Sequence, residues 1–198
     1  MLPIIVSIVL GYIIGSIPFG LVLTRLAGLG DIRKIGSGNI GTTNVLRTGH
    51  KGLALMTLLL DAFKAALVAL LCAYFWGREL GFLAGFMAVI GHNFPIWLKF
   101  KGGKGVASTL GLMLIMTPLV GITTCLTWLV VALIWHYSSL SALVALAVSP
   151  IVSLFTESSA ATITYVLLTL LSYYRHRANI SRLIHGTESK ISFHKKAN

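Results

Sequence analysis

Acidic side chains are scarce in this chain of 198 residues: five Asp and Glu stand against 16 Lys and Arg, giving a formal charge of +11. So few carboxylates exclude a carboxylate-rich two-metal centre. Cysteine is nearly missing as well. Cys72 and Cys125 both lie in apolar segments, which argues against a disulfide framework or a thiolate zinc site. There is no GxSxG nucleophile elbow, none of the six histidines has an aspartate five positions later, and neither cysteine has a basic neighbour. A conventional catalytic triad is therefore not in view, and positioning and charge stabilisation remain as the available chemistry. Charge of either sign is also nearly absent from the long apolar runs, and a water-soluble domain of this size needs far more polar surface.

What is present is a chain that is 56% hydrophobic, with a mean hydropathy of +0.88. Residues 1–24 carry no charge and form one span. They lack a basic leader region and a small-residue cleavage site, so they read as a retained helix rather than a signal peptide. Further spans are expected over 53–76 and 80–98. Residues 106–156 are uncharged throughout, and 158–174 add another apolar stretch. A helix needs about 20 residues to cross the hydrocarbon core, and about 17 at the short limit.

All but Lys64 and Arg78 of the basic residues fall in three segments: Arg25 to Lys51, Lys99 to Lys104, and Arg175 to Lys196. The positive-inside rule assigns these segments to one cytoplasmic face. The stretch between Lys104 and Arg175 then crosses an even number of times. Four helices fit, broken near Pro118, near residues 136–138 and near Glu157, with a kinked helix at Pro118 as the competing reading. The expected fold is all-α: a polytopic membrane protein of seven transmembrane helices, N-terminus outside and C-terminus cytoplasmic, forming one domain over residues 1–198. Gly11 with Gly15, and Gly81 with Gly85, are small residues at helical spacing, suited to close helix contacts.

Two glycine-rich basic loops are the chemical signal. The first holds Ser37, Gly38, Asn39, Gly41, Thr42 and Asn44, with Arg47 beyond. Glycines let backbone N–H groups converge on an anion, hydroxyl and amide side chains add donors, and Arg47 offers a forked contact to phosphate. The run is not a Walker A loop. The second loop, Gly102-Gly103-Lys104-Gly105, opens a helix, whose positive end and the Lys104 ammonium favour an anion. His92 lies upstream, suited either to carrying a proton or to packing. Asp61 and Lys64, three apart on one helical face, are an intramembrane acid–base pair, read either as functional support or as a packing lock. In the last basic segment, aromatics followed by arginines are ordinary interface anchors, although Asn179 and Arg182 share a helical face that can turn toward the loops.

Four stretches, GSGNIGTTN at 36–44, the Asp61/Lys64 pair, GHNFPIWLKFKGGKGVAS at 91–108 and HRANISRLIHGTE at 176–188, resemble the acyl-phosphate-dependent glycerol-3-phosphate acyltransferases of bacterial inner membranes. The resemblance runs along nearly the whole chain. It implies transfer of an acyl chain from acyl phosphate to the 1-position of sn-glycerol 3-phosphate, giving lysophosphatidic acid and inorganic phosphate as the first acylation of phospholipid synthesis. It implies no cofactor and no metal, a multi-pass inner-membrane location with the active site facing the cytoplasm, a separate phosphate acyltransferase supplying the donor, and no nucleic acid partner. Carried onto this chain, it places Ser37, Lys104, His176 and Asn179 as catalytic. Gly38, Asn39, Gly41, Thr42, Asn44, Arg47, Gly102, Gly103, Gly105, Arg177 and Arg182 would bind substrate phosphates, with Asp61, Lys64 and His92 in support. An acyl-CoA donor, an organic-anion transporter and a structural membrane protein are the competing readings. The missing inverted repeat speaks against a transporter.

Overall fold

The computed structural model describes residues 1–191, so Lys195 and Lys196 of the basic tail lie outside the described residues. Those residues form α1 (Leu2–Gly15), α2 (Phe19–Leu26), α3 (Thr42–Leu46), α4 (Lys51–Trp76), α5 (Arg78–Asn93), α6 (Val106–Met116), α7 (Pro118–Trp135), α8 (Ser138–Thr156), α9 (Ser159–Arg175) and α10 (Arg177–Ile184). The all-α expectation holds for the described residues, with only short 3-10 turns besides.

The first apolar run is one candidate span, Leu2–Leu26, interrupted where Pro18 cannot continue the helical ladder. Lys51–Trp76 has 26 residues, about 39 Å at the helical rise, enough to cross with room for tilt. Arg78–Leu98, Pro118–Trp135 and Ser138–Thr156 complete five helical stretches long and apolar enough to span a bilayer. The breaks near Pro118, residues 136–138 and Glu157 are all real helix ends. At Pro118 the chain turns a tight corner rather than kinking: Gly121 of α7 packs against the backbone of Leu114 of α6, with no room between them for a Cβ. The helix before that corner is shorter than the sequence suggests. α6 has 11 residues, about 16 Å, roughly half the hydrocarbon thickness.

Glycine contacts set the helix packing. Gly11 and Gly15 of α1 lie against the backbone of Ala84 and Ala88 of α5, and Gly91 lies against Tyr12 and Ser16. Those numbers rise together, so α1 and α5 run parallel. Gly81 meets Ala69, Ala73 and Met116, Gly85 meets Leu112, and Gly111 meets the backbone of Ala62, drawing α4, α5 and α6 together. A buried cluster including Phe82, Leu112, Met113, Leu146 and Tyr165 fills the space among α4 to α9.

The two ends of the bundle differ in charge. At one end Arg78 Nη2 donates to the Met116 carbonyl (2.9 Å) and to Glu157 (3.3 Å), tying together the turns after α4, α6 and α8. At the other end the basic segments meet: Arg175 donates to the carbonyls of Gly103 (3.0 Å) and Gly102 (2.9 Å), and Arg47 to Ser189 (2.5 Å).

Candidate active site

The first loop is wound around one side chain. Asn44 is buried in α3, and its Nδ2 donates to the carbonyls of Ile32 (2.9 Å), Ile35 (3.1 Å) and Asn39 (2.8 Å). An amide has two N–H hydrogens, so three acceptors mean one is shared. Asn44 Oδ1 accepts from the Ser37 amide at 3.0 Å. Gly36 and Gly38 take positive φ (55° and 69°), which reverses the chain around this anchor and leaves Ser37 exposed at the tip. Asn44 is thus the frame of the loop, with its polar atoms already committed. Asn39 Oδ1 and Thr42 Oγ1 are buried without a protein partner among the described residues. Gly41 caps α3, and Arg47 ends it, its side chain lying over Gly36.

The second loop folds differently. Lys99 and Phe100 both take positive φ (52° and 62°), turning the chain back so that Gly102 and Gly103 run beside the end of α5. Their N–H groups donate to the Asn93 and His92 carbonyls at 3.2 and 3.0 Å. The amide cradle for phosphate expected at Gly102 and Gly103 is therefore not what those groups form. The glycines are needed for close approach instead: a Cβ on Gly102 meets the His92 carbonyl and the Pro95 ring, and one on Gly103 meets the His92 imidazole. Gly105, at φ 78°, starts α6. What this loop offers is Lys104, whose Nζ donates to Asn179 Oδ1 at 2.5 Å. Burial, foremost, pulls the Lys104 pKa down to about 8, with Arg182, Arg175 and Arg47 acting in the same direction against Glu188.

At the α9–α10 corner His176 is buried, with Nδ1 2.8 Å from the Ser172 carbonyl. Burial first, and Lys104 next, push its pKa down to about 4, so it is neutral at neutral pH. With the proton on Nδ1 serving Ser172, Nε2 is left as an acceptor. Asn179 Nδ2 donates to Glu188 Oε1 (2.6 Å), Ser139 Oγ reaches the same oxygen (2.8 Å), and Arg182 Nε reaches Oε2 (2.6 Å). Although burial opposes it, these bonds hold the Glu188 carboxyl below the usual carboxylate range. Arg177 stands apart: it is exposed, stacks on the Tyr174 ring (4.7 Å) and donates to the Tyr174 carbonyl.

Ser37, Lys104, His176, Asn179, Arg47 and Arg182 thus share one end of the bundle. Sequence reasoning assigned no role to Glu188, Ser139 or Arg175 as site residues. The first is the sole acid of the last basic segment, and the second a polar residue opening an apolar helix; both were visible signals.

Behind the second loop lies the buried intramembrane cluster. Lys64 Nζ contacts Asp61 Oδ1 (2.8 Å), His92 Nδ1 (2.9 Å) and the Ile17 carbonyl at the α1–α2 break (2.9 Å). Ser108 Oγ donates to the Asp61 carbonyl at 2.7 Å. The pair therefore joins α4 to the α1–α2 break, α5 and α6. Among the described residues no group of three His, Cys, Asp or Glu side chains is arranged to hold a metal ion.

Known proteins resemble the chain along nearly its whole length. The family model described as Glycerol-3-phosphate acyltransferase matches residues 5–186. A curated glycerol-3-phosphate acyltransferase of Rhodospirillum rubrum is 58% identical, covering 94% of this chain and 90% of its own. One from Paramagnetospirillum magneticum is 56% identical, covering 99% and 98%. A crystal structure of PlsY (YgiH), described as an integral membrane glycerol 3-phosphate acyltransferase in its glycerol 3-phosphate form, superposes with a TM-score of 0.91 at 33% identity, covering 96% of both chains. The lysophosphatidic acid form of PlsY superposes at 0.89, with 32% identity over 96% of this chain and 95% of that one.

Proposed function

The chain belongs to the glycerol-3-phosphate acyltransferase family, and from that premise we propose that it acylates glycerol 3-phosphate at the 1-position with acyl phosphate as donor. The products are 1-acyl-sn-glycerol 3-phosphate and inorganic phosphate. The observation that carries this reading is the network in which Lys104 meets Asn179, Asn179 meets Glu188, and Arg182 and Arg47 bond Glu188 and the adjoining Ser189, beside a neutral His176 whose Nδ1 is turned to Ser172. Such a site binds phosphate charge and orients oxygens, which suits a donor that is already an activated mixed anhydride.

The acceptor hydroxyl oxygen attacks the acyl carbon, the ester C–O bond forms, and the bond from the acyl carbon to the phosphate oxygen breaks. The hydroxyl proton ends on the departing phosphate. Lys104 and Arg47 hold phosphate charge, including that developing on the leaving group. Ser37, Asn39 and Asn179 orient substrate oxygens, and His176 Nε2 accepts a hydrogen bond from the attacking hydroxyl.

The same reading gives the membrane arrangement. α1 with α2, then α4, α5, α6, α7, α8 and α9, make seven spans in one domain, with the half-length α6 included. The Arg78–Glu157 end faces outward, together with the N-terminus, since α1 runs parallel to α5. The basic end faces the cytoplasm of a bacterial inner membrane, where a phosphate acyltransferase delivers the donor.

Incubating the purified protein with glycerol 3-phosphate and either acyl phosphate or acyl-CoA tests the donor. Lysophosphatidic acid with equimolar phosphate is expected from acyl phosphate alone. Product from acyl-CoA with none from acyl phosphate would reject acyl phosphate as the donor.

A further inference from the structure

We propose that Arg175 is a positioning residue for the reaction: it clamps the Gly102–Gly103 backbone against His92 and so sets where the Lys104 ammonium lies. This rests on the reading of Lys104 as a phosphate ligand.

The stretch Gly102–Gly103 uses all four of its backbone polar groups. Both N–H groups go to the end of α5, at Asn93 and His92. Both carbonyls go to Arg175, through Nε to Gly103 and Nη2 to Gly102. A guanidinium donates two parallel N–H bonds in a fixed plane, so this fork holds two successive carbonyls in one orientation. The guanidinium is itself held, with its Cζ 5.0 Å from the centre of the Phe94 ring, and the Phe94 carbonyl accepts from Tyr12 of α1 (2.9 Å). On the opposite side the His92 ring fills the space where a Gly103 Cβ would sit, and His92 Nδ1 lies 2.9 Å from Lys64 in the Asp61 cluster.

The loop is thus bracketed by a cation from α9 and by a side chain anchored in α4 and α5. Lys104 is the next residue, and its ammonium meets Asn179 of α10, about one helical turn of chain past the clamp. An arginine this close to phosphate-binding groups invites the view that it binds phosphate itself. Its geometry assigns it otherwise, because Nε and Nη2 are committed to carbonyls. Loss of the fork would leave those two carbonyls partnerless and let the loop move, and a displacement of about 1 Å is enough to cost up to about a hundredfold in rate.

The test is a double-mutant cycle on the full-length protein in vesicles, using kcat and KM for glycerol 3-phosphate, with melting temperature and size-exclusion profile as folding controls. Lys104→Ala and Arg175→Gln each lower kcat/KM, and the double variant is no worse than Lys104→Ala by more than about threefold, because Arg175 acts through Lys104. Arg175→Lys keeps the charge and the stem but not the fork. It is expected to stay folded and to retain less than about a tenth of the wild-type value, so it serves where Arg175→Gln fails to fold. Multiplying losses in the double variant would mean that Arg175 touches substrate and would overturn the proposal. So would full activity in Arg175→Lys, which would reduce the role to charge alone. Near-normal activity of Lys104→Ala would instead reject the phosphate-ligand reading on which the proposal rests.

Discussion

The two glycine-rich loops look alike as sequence and are built in opposite ways. The first wraps its backbone around the Asn44 side chain, using Gly36 and Gly38 for positive φ, and leaves Ser37 exposed with Asn39 Oδ1 and Thr42 Oγ1 unpaired. The second pairs its glycine backbone with α5 and Arg175, and projects a single cation. Glycine serves the first loop through conformational freedom and the second through its missing side chain. A glycine-rich basic run at a membrane face therefore says that the backbone is crowded or sharply turned. Whether its N–H groups are free for an anion depends on neighbours distant in sequence.

The contrast can be broken most forcefully at Lys104, because the second loop contributes one charge and little else. Lys104→Ala is expected to lower kcat/KM by about 10²–10³, the usual cost of losing one charge-stabilising donor. Since its pKa lies near 8, wild-type kcat/KM should fall as pH rises through about 8, when the ammonium loses its proton. Lys104→Arg should move that alkaline limb upward, and a limb left in place would assign it to another group.

In the first loop the largest loss is expected from Asn44, not from the exposed residues. Asn44→Ala strands three carbonyls and the Ser37 amide, at roughly 1–3 kcal/mol per buried group left unpaired. Activity should fall about a hundredfold, with a lower melting temperature in the same preparation. Ser37→Ala removes only one hydroxyl, so about a tenfold drop in rate with unchanged melting is expected. Equal effects of the two substitutions on melting would mean that Asn44 is not the frame. The smallest effect belongs to Arg177, stacked on Tyr174: Arg177→Ala should change kcat/KM by less than about twofold, whereas Arg182→Ala should lower it clearly.

Much of this was legible in the sequence. The helix breaks at Pro118, at residues 136–138 and at Glu157 follow from proline, polar residues and isolated charge, which act locally. The described parts of the three basic segments meet at one end because the helices between them return the chain there. Other features depend on contacts no local pattern encodes. The shortness of α6 follows from a Lys104–Gly105 loop folded inward against α5 and from the corner at Pro118. Arg175 and Arg177 are both arginines at an aromatic interface, and only the packed loop distinguishes the clamp from the anchor. Glu188 reads as a lone acid in a basic tail until Asn179, Arg182 and Ser139 close around it.

The central claim is that this site transfers the acyl group directly, by holding charge and orienting oxygens, without an acyl-enzyme. It is tested most directly by mixing the protein in excess with acyl phosphate in the absence of glycerol 3-phosphate and following phosphate release within the first turnover. Direct transfer predicts no burst of phosphate, and release only once glycerol 3-phosphate is added. Rapid release approaching one phosphate per acyl phosphate added, with the acyl chain retained on the protein, would contradict it.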